Sequence, residues 1–304
     1  MNRFRSERGQ TMVLTTLFVA ALLGIAALVI DLGTWFRNQR DLQAVADAAA
    51  LAGAQELPES TGLATANANQ YANRNNGPNP AITFRSTNMS GRSDTINVKL
   101  ERPAPGFFAK VFGVNSVQIR ANATALASPL GSARYAAPIG VDKKHPLISG
   151  PGCSMSLPCF KQQTELDLEK IGPGAFRLLN IDGSHGGTGS KTLADWILNG
   201  YDGEMPINWY FSDPGAKFNS SDILSALSER IGEEMLFPVY DDTRKEGANF
   251  DYEVIGWIGF VVTSFEARGN GGVLHGYFTR VTWEGLPASS GVEDFGVRVI
   301  ELIE

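Results

Sequence analysis

The chain has 304 residues and a formal net charge of −6, with 26 Lys and Arg residues against 32 Asp and Glu residues. Its 43% content of hydrophobic residues excludes an intrinsically disordered chain, and its two cysteines exclude a disulfide-rich scaffold. The scattered basic residues do not supply the concentrated basic patch that nucleic acids require, so we expect no nucleic-acid partner.

The first informative segment is the apolar run Met12–Ile30, which contains no charged residue. A helix rises about 1.5 Å per residue, so this run nearly spans a hydrocarbon core of about 30 Å. Basic residues precede the run, and Asp31, which follows it, is expected at the level of the lipid headgroups. No second run of this kind occurs, so a single span is predicted. The positive-inside rule places the tail 1–11 in the cytoplasm and the remainder outside.

Two other interpretations of this run stay open. One is a buried core helix, and the other is a cleavable secretory signal. A signal has a shorter apolar region, of about 7–15 residues, and ends at a cleavage site with small residues. This run ends instead with the bulky residues Val29, Ile30 and Leu32, which favours an uncleaved membrane anchor.

A long helix is predicted to continue from the span to about Glu56, because helix formers fill this segment and the first proline is Pro58. Residues three or four apart form one apolar face with small side chains, which comprises Leu42, Ala46, Ala49 and Gly53. Such a face lets a second helix approach closely. The second helix could belong to a partner protein or to the same domain, and the sequence leaves both open.

The remaining residues predict an α+β fold. We expect a helical extension at 31–57, a small α+β unit at 58–134 and a β-rich extracytoplasmic domain at 135–304. In the small unit the patterns predict a helix at Ala64–Asn75 and strands at Ile82–Thr87, Thr95–Glu101 and Ser116–Ala127. They also predict a helical turn at Pro105–Phe112 that buries two phenylalanines.

The region 135–304 contains more glycines, aromatic residues and short apolar runs. Strands are predicted at Phe176–Ile181, Tyr252–Phe265, Gly276–Trp283 and Val297–Ile303, and helices at Leu193–Leu198 and Asp222–Ile231. The run Val254–Val262 is the strongest β signal of the chain and is predicted to be a central strand, because it is too short to cross a membrane.

The two cysteines lie close together, with five residues between Cys153 and Cys159. Outside the membrane such a pair is predicted to form a disulfide. Two free thiols and half of a zinc site are the alternatives, and the zinc site would need ligands from distant parts of the chain.

No motif predicts an enzymatic or cofactor site. The glycine-rich segment Gly183–Thr192 lacks the glycine that precedes the lysine of a phosphate-binding loop, since Ser190 precedes Lys191. The three histidines are far apart in sequence, and no acidic segment has the spacing of a calcium-binding loop. We therefore expect no catalytic residue, no cofactor, no metal ion and no nucleotide partner.

Several residues of the N-terminal region resemble a known family. Arg8-Gly9-Gln10, the end of the apolar run at Ile30–Gly33, then Arg40–Gln43 and Ala46–Ala52 resemble the start of the TadE/TadG-like proteins of bacterial Flp (tight-adherence) pilus assembly. The resemblance implies a non-enzymatic, membrane-anchored assembly or accessory protein whose partners are pilins or other pilus-assembly proteins.

Later segments, at 194–201, 238–241 and 252–257, are similar to a C-terminal region that some TadG-like proteins carry. Two features depart from related patterns. A prepilin-type site has Glu at the fifth position after the cut, where this chain has Leu14, so we expect an anchor rather than a processed pilin. The D-x-S-x-S motif of von Willebrand A domains does not occur, so that adhesion mechanism is not implied.

The sequence is also compatible with two other functional classes. The first is a surface-anchored binding module for glycan or calcium, with candidate aromatic platforms at Trp196, Tyr201, Trp209 and Tyr210. Packing in the core is the alternative role of these aromatic residues. The second class is a secreted hydrolase, for which the sequence offers no nucleophile or metal motif.

Overall fold

The structure is a computed structural model. It describes residues 8–87, 92–154, 158–168, 177–213, 218–246, 249–268, 271–288 and 291–303. The chain divides into two compact units, and the fold is α+β, as the sequence predicts. Unit 1 comprises residues 1–86, 92–126 and 301–304, and unit 2 comprises residues 87–91 and 127–300.

The helices of unit 1 are α1 (Arg8–Ala54) and α2 (Thr61–Arg74). Helix α1 has 47 residues and no break, which corresponds to a length of about 70 Å. It contains the apolar run and the alanine-rich segment in one continuous helix, as expected for a segment without proline. Helix α2 begins after Ser60, whose Oγ accepts a hydrogen bond from the Leu63 N–H at 3.1 Å.

The sheet of unit 1 is an antiparallel meander of β1 (Ala81–Arg85), β2 (Thr95–Pro105) and the first part of β3 (Ser116–Ala133). A 3₁₀ helix, Ala109–Phe112, lies in the connection between β2 and β3. Large buried residues on β2 face small ones on β3, in the pairs Ile96–Ala125, Val98–Ala123 and Leu100–Ala121. Alternate residues of a strand share one face, so this side of the sheet forms the core of the unit.

The main sheet of unit 2 contains five strands in one path, of which three are long. Their order across the sheet is β4 (Val141–Asp142), β8 (Glu234–Glu246), β9 (Asn249–Arg268), β10 (Gly271–Thr279) and β5 (Gln163–Asp167). Strand β4 is parallel to β8, and the other neighbours are antiparallel. Strand β9 contains Val254–Val262 and lies in the middle, which confirms the predicted central strand.

Shorter elements complete unit 2. The strands are β6 (Met205–Pro206), β7 (Trp209–Phe211), β11 (Val281–Thr282), β12 (Gly285–Pro287) and β13 (Val297–Leu302), whose last two residues belong to unit 1. The helices are α3 (Pro146–Ser149), α4 (Ser190–Asn199) and α5 (Ser221–Glu229). Aromatic rings of β8, β9 and β10 pack in the core. Phe237 and Phe260 stack with ring centroids 5.4 Å apart, and Phe278 packs edge-on against Phe260 with centroids 5.2 Å apart.

Two predictions of local structure are wrong. The segment 177–181, which is the described part of the predicted strand Phe176–Ile181, forms only isolated bridges at Leu178 and Leu179. The turn at Pro105–Phe112 does not bury two phenylalanines, because Phe107, Phe108 and Phe112 are all exposed.

Candidate functional site

The N-terminal half of α1 is an apolar helix without a protein cover. From Thr11 to Ile30 every side chain is exposed except that of Ala27, which is half-buried. The most apolar 18-residue window of this helix has a mean hydropathy of 2.7 and contains no buried residue. A helix buried in the core of its own unit does not fit this exposure, whereas a helix that crosses a bilayer does.

Asp31, the first residue after this run, is fully buried and binds the connection between β2 and β3. Its Oδ1 accepts a hydrogen bond from the Phe107 N–H at 2.9 Å. Its Oδ2 accepts hydrogen bonds from the N–H groups of Phe108 at 3.0 Å and Ala109 at 2.5 Å. These donors begin the 3₁₀ helix and have no partner within it, and an ionised carboxylate is their strongest acceptor.

Strand β2 runs alongside α1 toward this carboxylate. The Arg102 guanidinium donates a hydrogen bond to the Asn38 carbonyl at 3.1 Å, and the Trp35 indole N–H donates to the Pro105 carbonyl at 3.0 Å. As β2 proceeds from residue 102 to residue 105, its partners on α1 therefore move back from residue 38 to residue 35. The connection that follows β2 continues this direction and reaches Asp31, at the end of the apolar run.

The connection carries five exposed apolar side chains, which we call the apolar tip: Phe107, Phe108, Val111, Phe112 and Val114. Val111 is 83% exposed and Phe112 is 79% exposed. The backbone N–H groups of Phe107 and Phe108 turn toward Asp31, which leaves their side chains on the outside. This orientation is the physical reason that the predicted burial of two phenylalanines is wrong.

The small-residue face of α1 is covered within unit 1. Its members Leu42, Ala46, Ala49 and Gly53 are all buried. At Gly53 an added Cβ would lie 2.5 Å from the Ile96 Cδ1 of β2 and 3.0 Å from the Ala64 carbonyl oxygen of α2. The sequence left the partner of this face open, and in the structure α2 and β2 of the same unit occupy it.

The two cysteines lie in unit 2, where the sulfur atoms of Cys153 and Cys159 are bonded to each other. Their Cα atoms are 5.4 Å apart. The Cys159 N–H also donates a hydrogen bond to the Leu147 carbonyl at 2.7 Å, which attaches the small loop to α3.

The four aromatic candidates of unit 2 do not form one exposed surface. Trp196 and Tyr210 are buried in the core, and Tyr201 packs edge-on against Trp196 with ring centroids 5.4 Å apart. The ring of Trp209 is covered by the Arg244 guanidinium, which lies 4.4 Å from the ring centroid. Packing therefore accounts for these aromatic residues.

The glycine-rich segment is held by side chains of its own unit. The Thr188 N–H donates a hydrogen bond to Asp213 at 2.7 Å, and the Thr188 hydroxyl donates to Asn180 at 2.5 Å. These contacts tie the segment to Asp213 and Asn180 of the same unit.

The histidines of unit 2 have separate surroundings. The His145 Nδ1 accepts a hydrogen bond from the Leu147 N–H at 3.2 Å, and its Nε2 lies 3.1 Å from the Thr164 hydroxyl. Burial lowers the pKa of His145, because the charged ring loses its hydration. His185 lies against the Phe211 ring, with centroids 3.6 Å apart. Within the described ranges no group of three or more His, Cys, Asp or Glu side chains is placed to hold a metal ion.

An exposed apolar helix that leads into a folded α+β unit fits the class of membrane-anchored proteins with one N-terminal helix. Residues 9–56 match the model of the Tad family, which is described as putative Flp pilus-assembly TadE/G-like. The resemblance predicted from the sequence is confirmed over this segment, which contains the apolar run and ends before α2. No curated protein and no solved structure matches the chain.

Proposed function

We propose that the chain is a TadG-like accessory protein of Flp pilus assembly, without enzymatic activity, that Met12–Ile30 anchors in the membrane. The observation that carries this proposal is the match of residues 9–56 to the Tad family. The exposure of the apolar run supports it independently, because side chains of this kind need a lipid environment. Unit 2 lies outside the match, so its specific role is part of the proposal.

The proposed orientation places the N-terminal tail 1–11 in the cytoplasm and the residues after the span, from Asp31 onward, outside it. Arg3, Arg5 and Arg8 precede the span, and basic residues favour the cytoplasmic side. The disulfide between Cys153 and Cys159 supports the same orientation, because disulfides persist in oxidising compartments outside the cytoplasm.

The proposed partners are pilins or other proteins of pilus assembly. The small-residue face of α1 is already covered by α2, so a partner would bind other surfaces of the extracytoplasmic part. Helix α1 would hold unit 1 at the membrane surface, and unit 2 would contact the pilus or an envelope component.

The test is complementation in the native host. Deletion of the gene is expected to abolish or reduce Flp pili on electron micrographs, and the full chain is expected to restore them. The variant L17K/L23K places two charges in the span and is expected to leave the membrane pellet and to fail in complementation. L63K/Y71K is the matched control, because both residues are exposed on α2. Unchanged pili after deletion would refute the proposal.

The state of the N-terminus is tested by sequencing the protein from membrane and soluble fractions. A start within residues 1–9 in the membrane fraction supports an uncleaved anchor. A start at Gln10 would mean prepilin-type processing, and a start beyond Ile30 in the soluble fraction would mean a cleaved signal. The Gln10 start would make the chain a candidate pilus component instead of an accessory protein, and the start beyond Ile30 would overturn the anchor.

A further inference from the structure

We propose that the apolar tip of unit 1 inserts into the interfacial layer of the bilayer leaflet in which the α1 span ends. Two elements of one unit, the span and the apolar tip, would then contact the bilayer. This inference rests on the proposal that Met12–Ile30 crosses a bilayer.

The position of the tip relative to the span is fixed by the contacts of Asp31 and Trp35. Asp31 directly follows the span and binds the N–H groups of residues 107–109. Trp35 lies five residues beyond Ile30, or about 7.5 Å along the helix. The interfacial layer extends about 5–7.5 Å beyond the hydrocarbon core on each side, so Trp35 lies at about its outer edge. Both attachment points of the tip therefore lie within the depth of this layer.

The side chains of the apolar tip fit this location. Three of the five are phenylalanines, and aromatic residues are frequent at membrane interfaces. Lys110 lies among them on the 3₁₀ helix and is exposed, so its ammonium group can reach lipid phosphates while its stem remains among apolar groups. A cation between exposed aromatic residues is complementary to a lipid surface with anionic headgroups.

Backbone N–H groups of the tip also have hydrogen-bond acceptors within the protein, which suits a nonaqueous layer. A peptide N–H without an acceptor is costly in lipid. Asp31 accepts the N–H groups of residues 107–109, and carbonyls of the connection itself accept three others. The Val111 N–H donates to the Phe108 carbonyl, the Gly113 N–H to the Lys110 carbonyl and the Val114 N–H to the Ala109 carbonyl, at 3.0 to 3.1 Å.

Continuity with the span identifies the lipid, rather than a protein, as the cover of the tip. Leu32 and Phe36 are exposed on α1 just beyond the span, on the stretch of helix to which the tip is attached. Exposed apolar side chains therefore occur on the span, on the stretch of α1 that binds the tip and on the tip itself, all within one unit. A bilayer that surrounds the span reaches this surface without any further binding partner.

The experiment measures the depth of an environment-sensitive fluorophore in vesicles. The full chain carries the fluorophore on a cysteine introduced as Phe112→Cys and is reconstituted in phosphatidylcholine–phosphatidylglycerol vesicles. We expect blue-shifted emission, quenching by lipids with a doxyl group near the headgroup, and resistance to aqueous iodide. Leu63→Cys on α2 is the matched control and is expected to be quenched by iodide only.

A third label at Val19→Cys, inside the span, separates this proposal from the membrane anchor itself. Lipid quenching at residue 19 together with iodide quenching at residue 112 would overturn tip insertion and leave the anchor intact. Absence of lipid quenching at both positions would overturn the anchor, and tip insertion with it. Shielding of residue 112 that decreases on dilution of the protein in the lipid would show a second copy as the cover, and would also overturn the proposal.

Asp31→Asn tests whether this carboxylate positions the tip. The amide keeps the size of the side chain but replaces one acceptor oxygen with a donor that faces backbone N–H groups. We expect the label at residue 112 to lose part of its lipid quenching in this variant, while Asp41→Asn, an exposed position on the same helix, leaves it unchanged. Equal quenching in both variants would show that Asp31 does not position the tip.

Discussion

The replacement of Gly53 by leucine tests the packing of α1 against the rest of unit 1. An added Cβ alone would lie 2.5 Å from the Ile96 Cδ1, 3.0 Å from the Ala64 carbonyl oxygen and 3.3 Å from the Ala68 Cβ. Ile96, Ala64 and Ala68 are all fully buried, so none of these neighbours has solvent to move into. The larger leucine side chain would force α1 and α2 apart.

The expected cost is the difference between two opposing effects. Overpacking of a filled core costs about 3 kcal/mol at the upper end of its usual range. Replacement of glycine inside a helix gains about 0.8 kcal/mol of helix propensity. The net loss is about 2 kcal/mol, which lowers the equilibrium constant for folding of unit 1 by about 30-fold.

Hydrogen exchange with mass spectrometry measures this loss in the full chain in detergent micelles. Amides in α2 and β2 that exchange through opening of unit 1 are expected to lose about 30-fold in protection. Gly33→Leu is the matched control on the same helix, because nothing lies within 4 Å of an added Cβ at Gly33. The reasoning is refuted if Gly53→Leu keeps normal protection, or if Gly33→Leu loses as much.

Three further predictions concern the stability of unit 2. The half-buried His145 has a lowered pKa, so on acidification the unfolded chain binds a proton at this residue first. The melting temperature should therefore fall as the pH decreases below about 6.5, with a smaller fall in His145→Gln. Arg298→Met should lower the free energy of unfolding in urea by about 3 kcal/mol or more. The Arg298 guanidinium lies 2.7 Å from the buried carboxylate of Asp294, which loses this ion pair in the variant. Gly276→Ala should cost about 2 kcal/mol in the same assay, because its methyl group meets the Val261 carbonyl oxygen on β9.

Each of these predictions has a control. Gly187→Ala adds the same methyl group where the nearest atom is 3.6 Å away, so it should leave stability nearly unchanged. The double variant D294L/R298M removes both charges and should recover part of the loss caused by Arg298→Met. A pH dependence of melting that is identical in the native chain and in His145→Gln would contradict the role assigned to this histidine.

The sequence predicted elements well where neighbouring residues alone decide the structure. The absence of proline before Pro58 and the run of helix formers predicted a continuous helix, which α1 confirms. The apolar run Val254–Val262 predicted the central strand of the sheet in unit 2, because it is too short for a span and its β-branched residues favour a strand. These signals are local, so one sequence contains them in full.

The sequence failed where a distant partner decides the structure. Strand β8 was not among the predicted strands, although it is a main neighbour of β9, because Pro238 interrupts its pattern. The burial of Phe107 and Phe108 was predicted from their apolar character. That character is the same whether the side chain meets a protein core or a lipid surface.

The sequence by itself determined the apolar run, the long helix and the resemblance to Tad proteins, since composition and short-range spacing encode all three. Only the tertiary structure decided which surfaces are covered. It placed α2 on the face around Gly53 and brought the backbone at residues 107–109 to the carboxylate of Asp31. More than seventy residues separate Asp31 from these donors, so their contact depends on how β2 packs along α1, which no local pattern records.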